Sequence, residues 1–383
     1  MAASLSRGVR WRVTDFTMLL SLCMIVRNER RHLERCLRSV RGVVDELVVV
    51  DTGSDDGSQE IARRAGARSF EFPWVNDFAR ARNHALEQAR APWILVLDAD
   101  EQLLERDHAA LMSLLRAHTP KDGVPRTAFN LLVNNSSDGG RTGMLAHIVR
   151  LFPNHPDIRY EWPVHEQIAT SLLRLGIPIK DTRIEILHDG YAEAARNQAK
   201  QQRNLAILQK QVAGGGAFAL THFLLGGARL DLGDFSGAMA AYQECIRSAT
   251  PGDQLIQGAQ VRIANCLYAM GRFLEVCAWV QADGGVRRAH PEQSLVLGNS
   301  MKALGNISGA REALCGVLAV QDGVFMPPCN LMTVKVEAVL GLATLLKEQG
   351  DEKAAVQLMR AAVARSASGQ PLDSAWWVSL QGR

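Results

Sequence analysis

The 383-residue sequence has few aromatic residues and little net charge. Aromatic side chains make up 6% of it, and 43 basic against 40 acidic residues leave a formal net charge of +3. Proteins that bind nucleic acid typically carry a strongly basic face, often with aromatic side chains on which bases stack. The composition therefore disfavours a nucleic-acid partner.

Closely spaced cysteines are also absent. The seven cysteines are odd in number and scattered along the chain. Such a pattern is neither a disulfide framework nor a zinc ribbon. It predicts free thiols in a reducing cytoplasm. We therefore expect a cytoplasmic protein, with peripheral contact at the inner membrane face if its acceptor is lipid-linked.

No apolar run reaches the length of a membrane span. The run at 18–26 has nine residues, whereas a membrane helix needs roughly 20. Three arginines precede it, as in a signal peptide, but Arg27, Asn28 and Glu29 follow where a small-residue cleavage site would stand. The run therefore predicts a buried strand.

Two phosphate-binding motifs are missing as well. The sequence contains neither G-x-x-x-x-G-K-[ST] nor G-x-G-x-x-G. P-loop hydrolases and dinucleotide-binding enzymes hold phosphates with these glycine-rich loops. A diphosphate bound here would need a metal ion and arginines instead.

The region from residue 18 to about 190 alternates apolar runs with segments of helical periodicity. This alternation predicts a doubly wound α/β sheet with parallel strands. The expected strands are 18–26, 46–50, 68–72 and 93–97, and the expected helices are 29–40, 58–65 and 77–89. The polar, glycine-rich stretch 134–143 predicts a loop, which either closes over a donor or simply connects two strands.

Beyond residue 196 the sequence predicts helices alone. Glycines 233, 271, 305 and 350 recur at intervals of 38, 34 and 45 residues, close to the tetratricopeptide period of about 34. Unrelated antiparallel helices are the alternative. The domains expected are a flexible segment 1–17, an α/β domain 18–195, a helical connection with a glycine-rich hinge 196–216, and a helical repeat domain 217–383.

Polar residues follow three of the predicted strands. The first runs into Arg27-Asn28-Glu29, the second into Asp51, and the third into Asp98-Ala99-Asp100-Glu101. The carboxyl ends of parallel strands share one edge of a sheet, where ligands bind. Carboxylates one residue apart can converge on a hard cation. Asp98 and Asp100 therefore predict a Mg²⁺ or Mn²⁺ site, against the alternative of a solvated loop.

Four motifs in order now carry a resemblance. The stretches 24–29, 50–57, 78–86 and 93–101, with 149–152, 164–167 and 188–191 after them, are similar to those of family 2 inverting glycosyltransferases of the GT-A fold. The subgroup that the chain resembles carries tetratricopeptide-like repeats and includes bacteriocin-peptide S-glycosyltransferases and lipopolysaccharide-core glucosyltransferases. The resemblance covers roughly residues 18–205.

The resemblance implies a role for each matched residue on the donor side. The nucleotide would be lined by Val26, Arg27, Asn28 and Glu29, its base would contact Asp51, and its diphosphate would lie near Arg82. The resemblance assigns ribose or metal-bound water to Asp98, and direct metal ligation to Asp100 with His188.

On the acceptor side, the resemblance implies a carboxylate that takes the acceptor's proton. Glu166, next to His165, is the preferred candidate, and Glu101 and Asp189 are the alternatives. The reaction expected is metal-dependent inverting transfer from a nucleotide-diphosphate sugar, first of all a UDP-sugar, to a peptide, protein or glycan. The repeats would bind the acceptor or form a homodimer.

Two other functions remain open at this point. A nucleotidyltransferase could use a similar sheet, although such enzymes usually carry a glycine-rich loop after the first strand, where this chain has Arg27-Asn28-Glu29. A catalytically dead domain could instead serve a scaffold that acts through its repeats. Intact Asp51, Asp98 and Asp100 argue against the scaffold.

Overall fold

The structure is a computed structural model that describes residues 17–135, 144–188, 194–215, 218–282, 290–321, 329–368 and 370–381. The chain divides into two compact units, residues 1–199 and 200–383. Of the N-terminal segment predicted to be flexible, only Thr17 lies within the described residues. No described helix has the length and apolar character needed to cross a membrane.

The first unit combines eight strands with five helices among its described residues. The strands are β1 (Leu20–Val26), β2 (Glu46–Asp51), β3 (Arg68–Glu71), β4 (Trp93–Val96), β5 (Glu101–Leu103), β6 (Ala128–Asn135), β7 (Met144–Pro153) and β8 (Ile179–His188). The helices are α1 (Leu33–Ser39), α2 (Ser58–Arg64), α3 (Phe78–Gln88), α4 (His108–His118), which follows a 3₁₀ turn at Glu105–Asp107, and α5 (Ala169–Arg174).

These strands form one sheet in the order β3-β2-β1-β4-β7-β6-β8-β5. The first four strands are parallel, as the alternating pattern predicts. Beyond β4 the sheet is mixed, because β7 runs antiparallel to β4 and β6, β8 is parallel to β6, and β5 is antiparallel to β8. The four strands predicted from the sequence are therefore parallel as expected, and the mixed half of the sheet lies beyond them.

Apolar runs explain why β1, β2 and β4 lie at the centre of the unit. Side chains of β1 alternate between two cores, so that Leu22 and Met24 pack on the face covered by α1, while Cys23 packs on the face covered by α3. A strand covered on both faces needs a continuous apolar sequence, as these three have. The sheet with helices on both faces is a three-layer α/β architecture.

The glycine-rich stretch 134–143 is partly strand. Asn134 and Asn135 belong to β6 and pair with both β7 and β8. Residues 136–143 lie outside the described part of the chain, so the prediction of a closing loop stays untested.

The second unit is helical throughout its described residues. Its helices are α6 (Ala194–Ala213, of which the first six residues are counted with the first unit), α7 (Ala219–Asp231), α8 (Phe235–Ser248), α9 (Gln254–Ala269), α10 (Phe273–Gln281), α11 (Pro291–Ala303), α12 (Ile307–Ala319), α13 (Leu331–Glu348), α14 (Glu352–Ala367) and α15 (Ser374–Gln381). The four glycines that the sequence spacing marks each separate two consecutive helices, and each has a positive φ between 72° and 86°. That backbone conformation favours glycine, which explains the spacing.

Small residues let paired helices of this unit pack closely. Gly226 of α7 faces the ring of Tyr242 on α8, and a Cβ at position 226 would stand 2.6 Å from that ring. Tyr242 is 1% exposed, and Ala238 and Ala259 are fully buried near it in the same core. The unit therefore has the close antiparallel helix pairs expected of a helical repeat.

Candidate active site

The carboxyl ends of β1 and β2 bring two predicted nucleotide-binding stretches together. Val26 pairs in register with Asp51. Asn28 adopts a positive φ of 55°; its backbone N–H donates to Ser54 Oγ at 2.9 Å, and its Oδ1 accepts from the Asp55 N–H at 2.9 Å. The two loops thus form one hydrogen-bonded rim, on which Arg27 is exposed.

Asp51 is 4% exposed at this rim, and its two carboxylate oxygens differ. Oδ1 accepts from the backbone N–H groups of Gly53 and Ser54 at 2.9 and 2.8 Å and from Gln59 Nε2 at 3.0 Å. Burial acts to raise the pKa of Asp51, but the hydrogen bonds from Ser54, Gln59 and Gly53 outweigh it and lower that pKa. Oδ2 is buried and accepts no hydrogen bond within the described structure, so its capacity as an acceptor is unsatisfied.

Asp98, the first carboxylate of the Asp98-Ala99-Asp100 motif, is bound by two arginines. Its Oδ1 lies 2.7 Å from Arg82 Nη2, and its Oδ2 lies 3.2 Å from Arg150 Nη2. Burial acts to raise the pKa of Asp98, but the two guanidinium groups outweigh it and lower that pKa. Asp98 is therefore ionised and fixed, and it binds Arg82, which the resemblance places near a diphosphate.

Glu101 continues this network. It is 1% exposed, its Oε1 is bound by Arg150 Nη2, and its Oε2 accepts from the Asp98 N–H at 2.9 Å. Burial raises the pKa of Glu101 to about 7, with the Arg150 charge acting against the shift and the Asp98 charge adding to it. A carboxylate so enclosed has no room for an acceptor, which disfavours Glu101 as the base.

Asp100 points away from the arginines and meets a histidine. Its Oδ2 lies 3.4 Å from His188 Nε2, and His188 Nδ1 lies 2.7 Å from Asn135 Oδ1. Burial acts to raise the pKa of Asp100, but the hydrogen bond from His188 outweighs it and lowers that pKa. Burial acts to lower the pKa of His188, while its hydrogen bond to Asp100 outweighs burial and raises it.

This pair fits a divalent cation better than the predicted trio does. Two adjacent ligands of an octahedral Mg²⁺, each at about 2.1 Å, stand about 3 Å apart, close to the observed Asp100–His188 separation. The described residues contain no group of three or more histidine, cysteine or acidic side chains arranged to hold a metal. A cation bound with substrate phosphates needs only one or two protein ligands.

A cavity of about 640 Å³ lies beside this network. Its lining includes Arg82, Asp98, Arg150, Tyr160, His165 and Glu166. Glu166 Oε1 lies 2.6 Å from Arg82 Nε, while its Oε2 receives no hydrogen bond from a described residue. The cavity therefore presents one carboxylate oxygen that is held and one that is available.

The loop that carries Glu166 is strained. Trp162 and His165 have positive φ values of 71° and 53°, which non-glycine residues rarely adopt. Backbone hydrogen bonds of 3.0 Å in both directions join Glu161 to Gln167, and the Phe78 N–H donates to Pro163 O at 2.8 Å. Strained residues of this kind cost about 1–3 kcal/mol each and often mark functional sites.

The structure thus brings most of the predicted site residues to one edge of the sheet. Val26, Asn28, Glu29 and Asp51 lie on the rim, Asp98, Arg82 and Glu166 share one ion-pair network, and Asp100 meets His188. Asp189 lies outside the described residues. The roles assigned to these residues remain predictions.

Comparison with known proteins agrees with this architecture. Residues 21–130 match the model of glycosyl transferase family 2. This span is therefore similar to a family 2 glycosyltransferase domain. The matched span contains β1 to β5 and the start of β6, and therefore the rim, Arg82 and the Asp98-Ala99-Asp100 motif.

The similarity to two curated relatives covers more of the chain than residues 21–130. A TPR repeat-containing protein of Synechococcus elongatus is 36% identical over 61% of this chain and 57% of its own length. The prophage-derived glycosyltransferase SunS of Bacillus subtilis is 22% identical over 51% of this chain and 46% of its own length. The chain thus spans about half the length of these relatives. Among solved structures, Staphylococcus aureus TarS aligns with a TM-score of 0.41 and 13% identity, covering 67% of this chain and 54% of TarS.

Sequence reasoning missed several side chains around this site. Arg150 pairs with Asp98 and Glu101. Tyr160, whose pKa burial raises to about 12, stacks its ring 5.4 Å from the Arg82 guanidinium carbon. Asn135, which contacts His188, also had no signal. These residues come from the antiparallel half of the sheet and the segment after it, whose strands the sequence analysis did not predict.

Proposed function

We propose that the chain is a metal-dependent inverting glycosyltransferase that transfers a sugar from a nucleotide-diphosphate donor, UDP-sugars first, to a peptide, protein or glycan. The observation that carries the proposal is the contrast within the Asp98-Ala99-Asp100 motif. Asp98 is bound by two arginines, whereas Asp100 pairs with His188. One carboxylate thus builds the site, and the other is left for a ligand.

Asp51 supports nucleotide recognition. Its Oδ2 is a buried acceptor without a partner, and the lowered pKa keeps the carboxylate ionised at neutral pH. A base that offers an N–H, as uracil and thymine do at N3, would satisfy it. Cytosine has no N–H at N3, where it presents a lone pair, so an acceptor that faces this position favours UDP over CDP.

Asp100 and His188 are the residues that would hold Mg²⁺ or Mn²⁺. A bound cation would neutralise charge on the departing nucleoside diphosphate. Asn135 Oδ1 contacts His188 Nδ1, and in the tautomer where Nδ1–H donates to Asn135, His188 Nε2 presents a lone pair beside Asp100. The hydrogen bond through the other ring nitrogen thus orients the histidine for ligation.

Glu166 is the proposed base, at its Oε2 atom. Arg82 occupies Oε1, and the carboxylate is 14% exposed on the cavity. An acceptor hydroxyl or thiol in the cavity would give its proton to Oε2 as it attacks the anomeric carbon, so that one displacement inverts that centre. His165 lines the same cavity and is proposed to contact the acceptor.

Calorimetric titration tests the proposal. UDP, GDP, CDP and TDP are titrated into the full chain with Mn²⁺ and again with EDTA. We expect metal-dependent binding of UDP, lost in Asp100→Ala and retained in Asp157→Ala, a matched exposed aspartate outside the site.

Three outcomes would contradict parts of the proposal. Failure of every nucleotide to bind would favour a scaffold that acts through its helices. Equal affinity in EDTA would remove the metal. Turnover of a nucleoside triphosphate with release of pyrophosphate would identify a nucleotidyltransferase instead.

A further inference from the structure

Arg82 joins the two ends of the candidate site. Its side chain on α3 is 10% exposed and binds Asp98 Oδ1 through Nη2 at 2.7 Å and Glu166 Oε1 through Nε at 2.6 Å. Its guanidinium carbon stands 5.4 Å from the centre of the Tyr160 ring. One side chain therefore contacts both the motif on the donor side and the carboxylate on the acceptor side.

The shape of the guanidinium makes this contact directional. The group is planar and rigid, and its Nε–H and Nη2–H bonds have fixed directions relative to each other. Two carboxylates bound to these nitrogens are therefore fixed relative to each other. Lysine carries the same charge, but its ammonium lies on a flexible stem and imposes no such plane.

Asp98 in turn is bound by a residue of the sheet. Its other oxygen is bound by Arg150 of β7, which also binds Glu101 of β5. The chain of contacts therefore runs from β5 and β7 through Asp98 and Arg82 to Glu166. Arg82 is thus fixed on the sheet side by ion pairs that do not involve the Glu166 loop.

The Glu166 loop needs such an anchor. It contains two non-glycine residues with positive φ, Trp162 and His165. Strained conformations persist only when surrounding contacts over-determine them. The Arg82–Glu166 ion pair is one such contact and acts on the residue whose position matters for proton transfer.

We propose that Arg82 is a positioning residue that fixes the Glu166 carboxylate relative to the donor end of the site. This inference rests on the proposed function, in which Glu166 Oε2 takes the acceptor's proton. Arg82 acts through Glu166 and carries no proton itself. Its effect on the reaction therefore depends on the Glu166 carboxylate being present.

The test is a double-mutant cycle on the full chain. Release of UDP from UDP-glucose and UDP-GlcNAc with Mn²⁺ is measured, with water as acceptor, for the wild type, Arg82→Lys, Glu166→Gln and the double variant. UDP affinity is measured in parallel. Arg64→Lys is the matched control. Arg64 lies on α2, whereas Arg82 lies on α3, and it forms an exposed ion pair with Glu60 of its own helix.

We expect Arg82→Lys to lower kcat by about 100-fold, the loss typical of a reacting group misplaced by about 1 Å, while UDP affinity stays within about threefold. Glu166→Gln should lose roughly 10²- to 10⁴-fold, as removal of a general base does. The double variant should then be no slower than Glu166→Gln. A structural role for Arg82 alone would instead lower UDP affinity and multiply with Glu166→Gln.

The outcomes separate the inference from the function on which it rests. If Glu166→Gln turns over normally, or the wild type turns over neither donor, the proposed function is wrong. If Glu166→Gln is slow and Arg82→Lys is not, or the two losses multiply, the inference alone is wrong.

A second measurement covers an Arg82→Lys variant that does not fold. Glu166→Ala removes the ion pair and leaves Arg82 paired with Asp98. Amide hydrogen exchange at Glu161 and Gln167, which bridge the loop, should then quicken by tenfold or more. Unchanged exchange would overturn the inference.

Discussion

The two units of the chain differ in the charged side chains that they bury. The first buries Glu46, Arg82, Glu101 and Arg150, all below 9% exposed, whereas Lys335 is the one similarly buried lysine, arginine or acidic residue in the described part of the second. A buried charge is costly unless it is paired, and a buried pair often stabilises a fold less than apolar residues would. The first unit therefore keeps an arrangement that stability alone would not favour, which is the mark of a site.

The second unit instead depends on glycine, alanine and caps. Its helix pairs approach each other through residues such as Gly226 and Ala238, and its turns use glycines with positive φ. Substitutions that break function and substitutions that break stability should therefore separate by unit. Five predictions follow from the contrast between the units, beginning with the largest expected effect.

The largest effect is expected at Asp51. In Asp51→Asn the side-chain oxygen can keep the three hydrogen bonds that Oδ1 accepts, while an NH₂ group replaces the unpartnered Oδ2. We expect UDP affinity to fall by about 100-fold, because a lost charge-assisted bond and an opposed donor together cost about 2–3 kcal/mol. Calorimetry measures the affinity, and thermal unfolding should change little.

Asp55→Asn is the control for that change, since Asp55 lies exposed on the same loop. If the two variants lose equal affinity, the loss reflects the charge of the loop and Asp51 has no direct contact with the base.

At Gly226 we expect the opposite result, a loss of stability without a loss of UDP affinity. A Cβ there would stand 2.6–2.7 Å from three ring atoms of buried Tyr242, so Gly226→Ala should destabilise the second unit by about 2 kcal/mol through overpacking. UDP should shift the unfolding transition of the first unit alone. Scanning calorimetry should then show a lowered midpoint for the transition that UDP does not shift, while the affinity for UDP stays unchanged.

The adjacent glycine is a matched control. At Gly227 a Cβ would meet only the Tyr242 hydroxyl, at 3.9 Å. Gly227→Ala should therefore stabilise the helix by about 0.5–1 kcal/mol. Equal destabilisation by both changes would show that helix pairing in this unit does not depend on the close approach at position 226.

The contrast between the units also decides what the sequence could reveal. Strands β1, β2 and β4 were predictable because each is buried on both faces and reads as an unbroken apolar run. The turn glycines were predictable because a positive φ restricts the residue. Strands β5 to β8 were not, since β8 pairs with strands that are distant in sequence and exposed residues interrupt the apolar pattern of β7 and β8.

The same limit applies within the site. Asp51, Asp98 and Asp100 were visible because they follow strands directly. The partnership of Arg82 with Glu166 joins residues 84 positions apart, and no local pattern records it. Sequence therefore identified the groups that face a ligand better than the arginines that hold them.

A third prediction concerns Glu101 and pH. Its pKa of about 7 in the folded state lies above the ordinary value of 4.5. The folded state therefore holds a proton that the unfolded state releases between these values, so this contribution to stability is full below pH 4.5 and is lost as pH rises through 7. Glu101→Gln should remove a decline on the order of 1 kcal/mol between pH 5 and 7.

Denaturant unfolding of the first unit at pH 5, 6 and 7 measures this decline. Glu105→Gln, at an exposed position nearby, should leave the pH dependence as it is. A wild-type stability that rises between pH 5 and 7, and that Glu101→Gln does not change, would contradict the raised pKa.

The smallest effect is expected at a helix cap in the second unit. Helices α8, α12 and α14 have the N-cap residues Asp234, Asn306 and Asp351, and each of these side chains accepts from the backbone N–H three residues on. Asn306→Ala should cost about 1 kcal/mol, measured at the transition that UDP does not shift. Asn306→Ser, which keeps a capping oxygen, should lose only a few tenths.

Helix α10, the second helix of the α9–α10 pair, lacks such a side-chain cap, so adding one there should raise stability. The N-cap residue of α10 is Arg272, whose side chain makes no capping bond, although it follows a turn glycine as the three caps do. Arg272→Asn should therefore raise the same midpoint, because the exposed Arg272–Glu275 pair that it removes contributes little. If the midpoint falls instead, that surface pair matters more than the cap, and the repeat unit draws more of its stability from charge than its buried residues indicate.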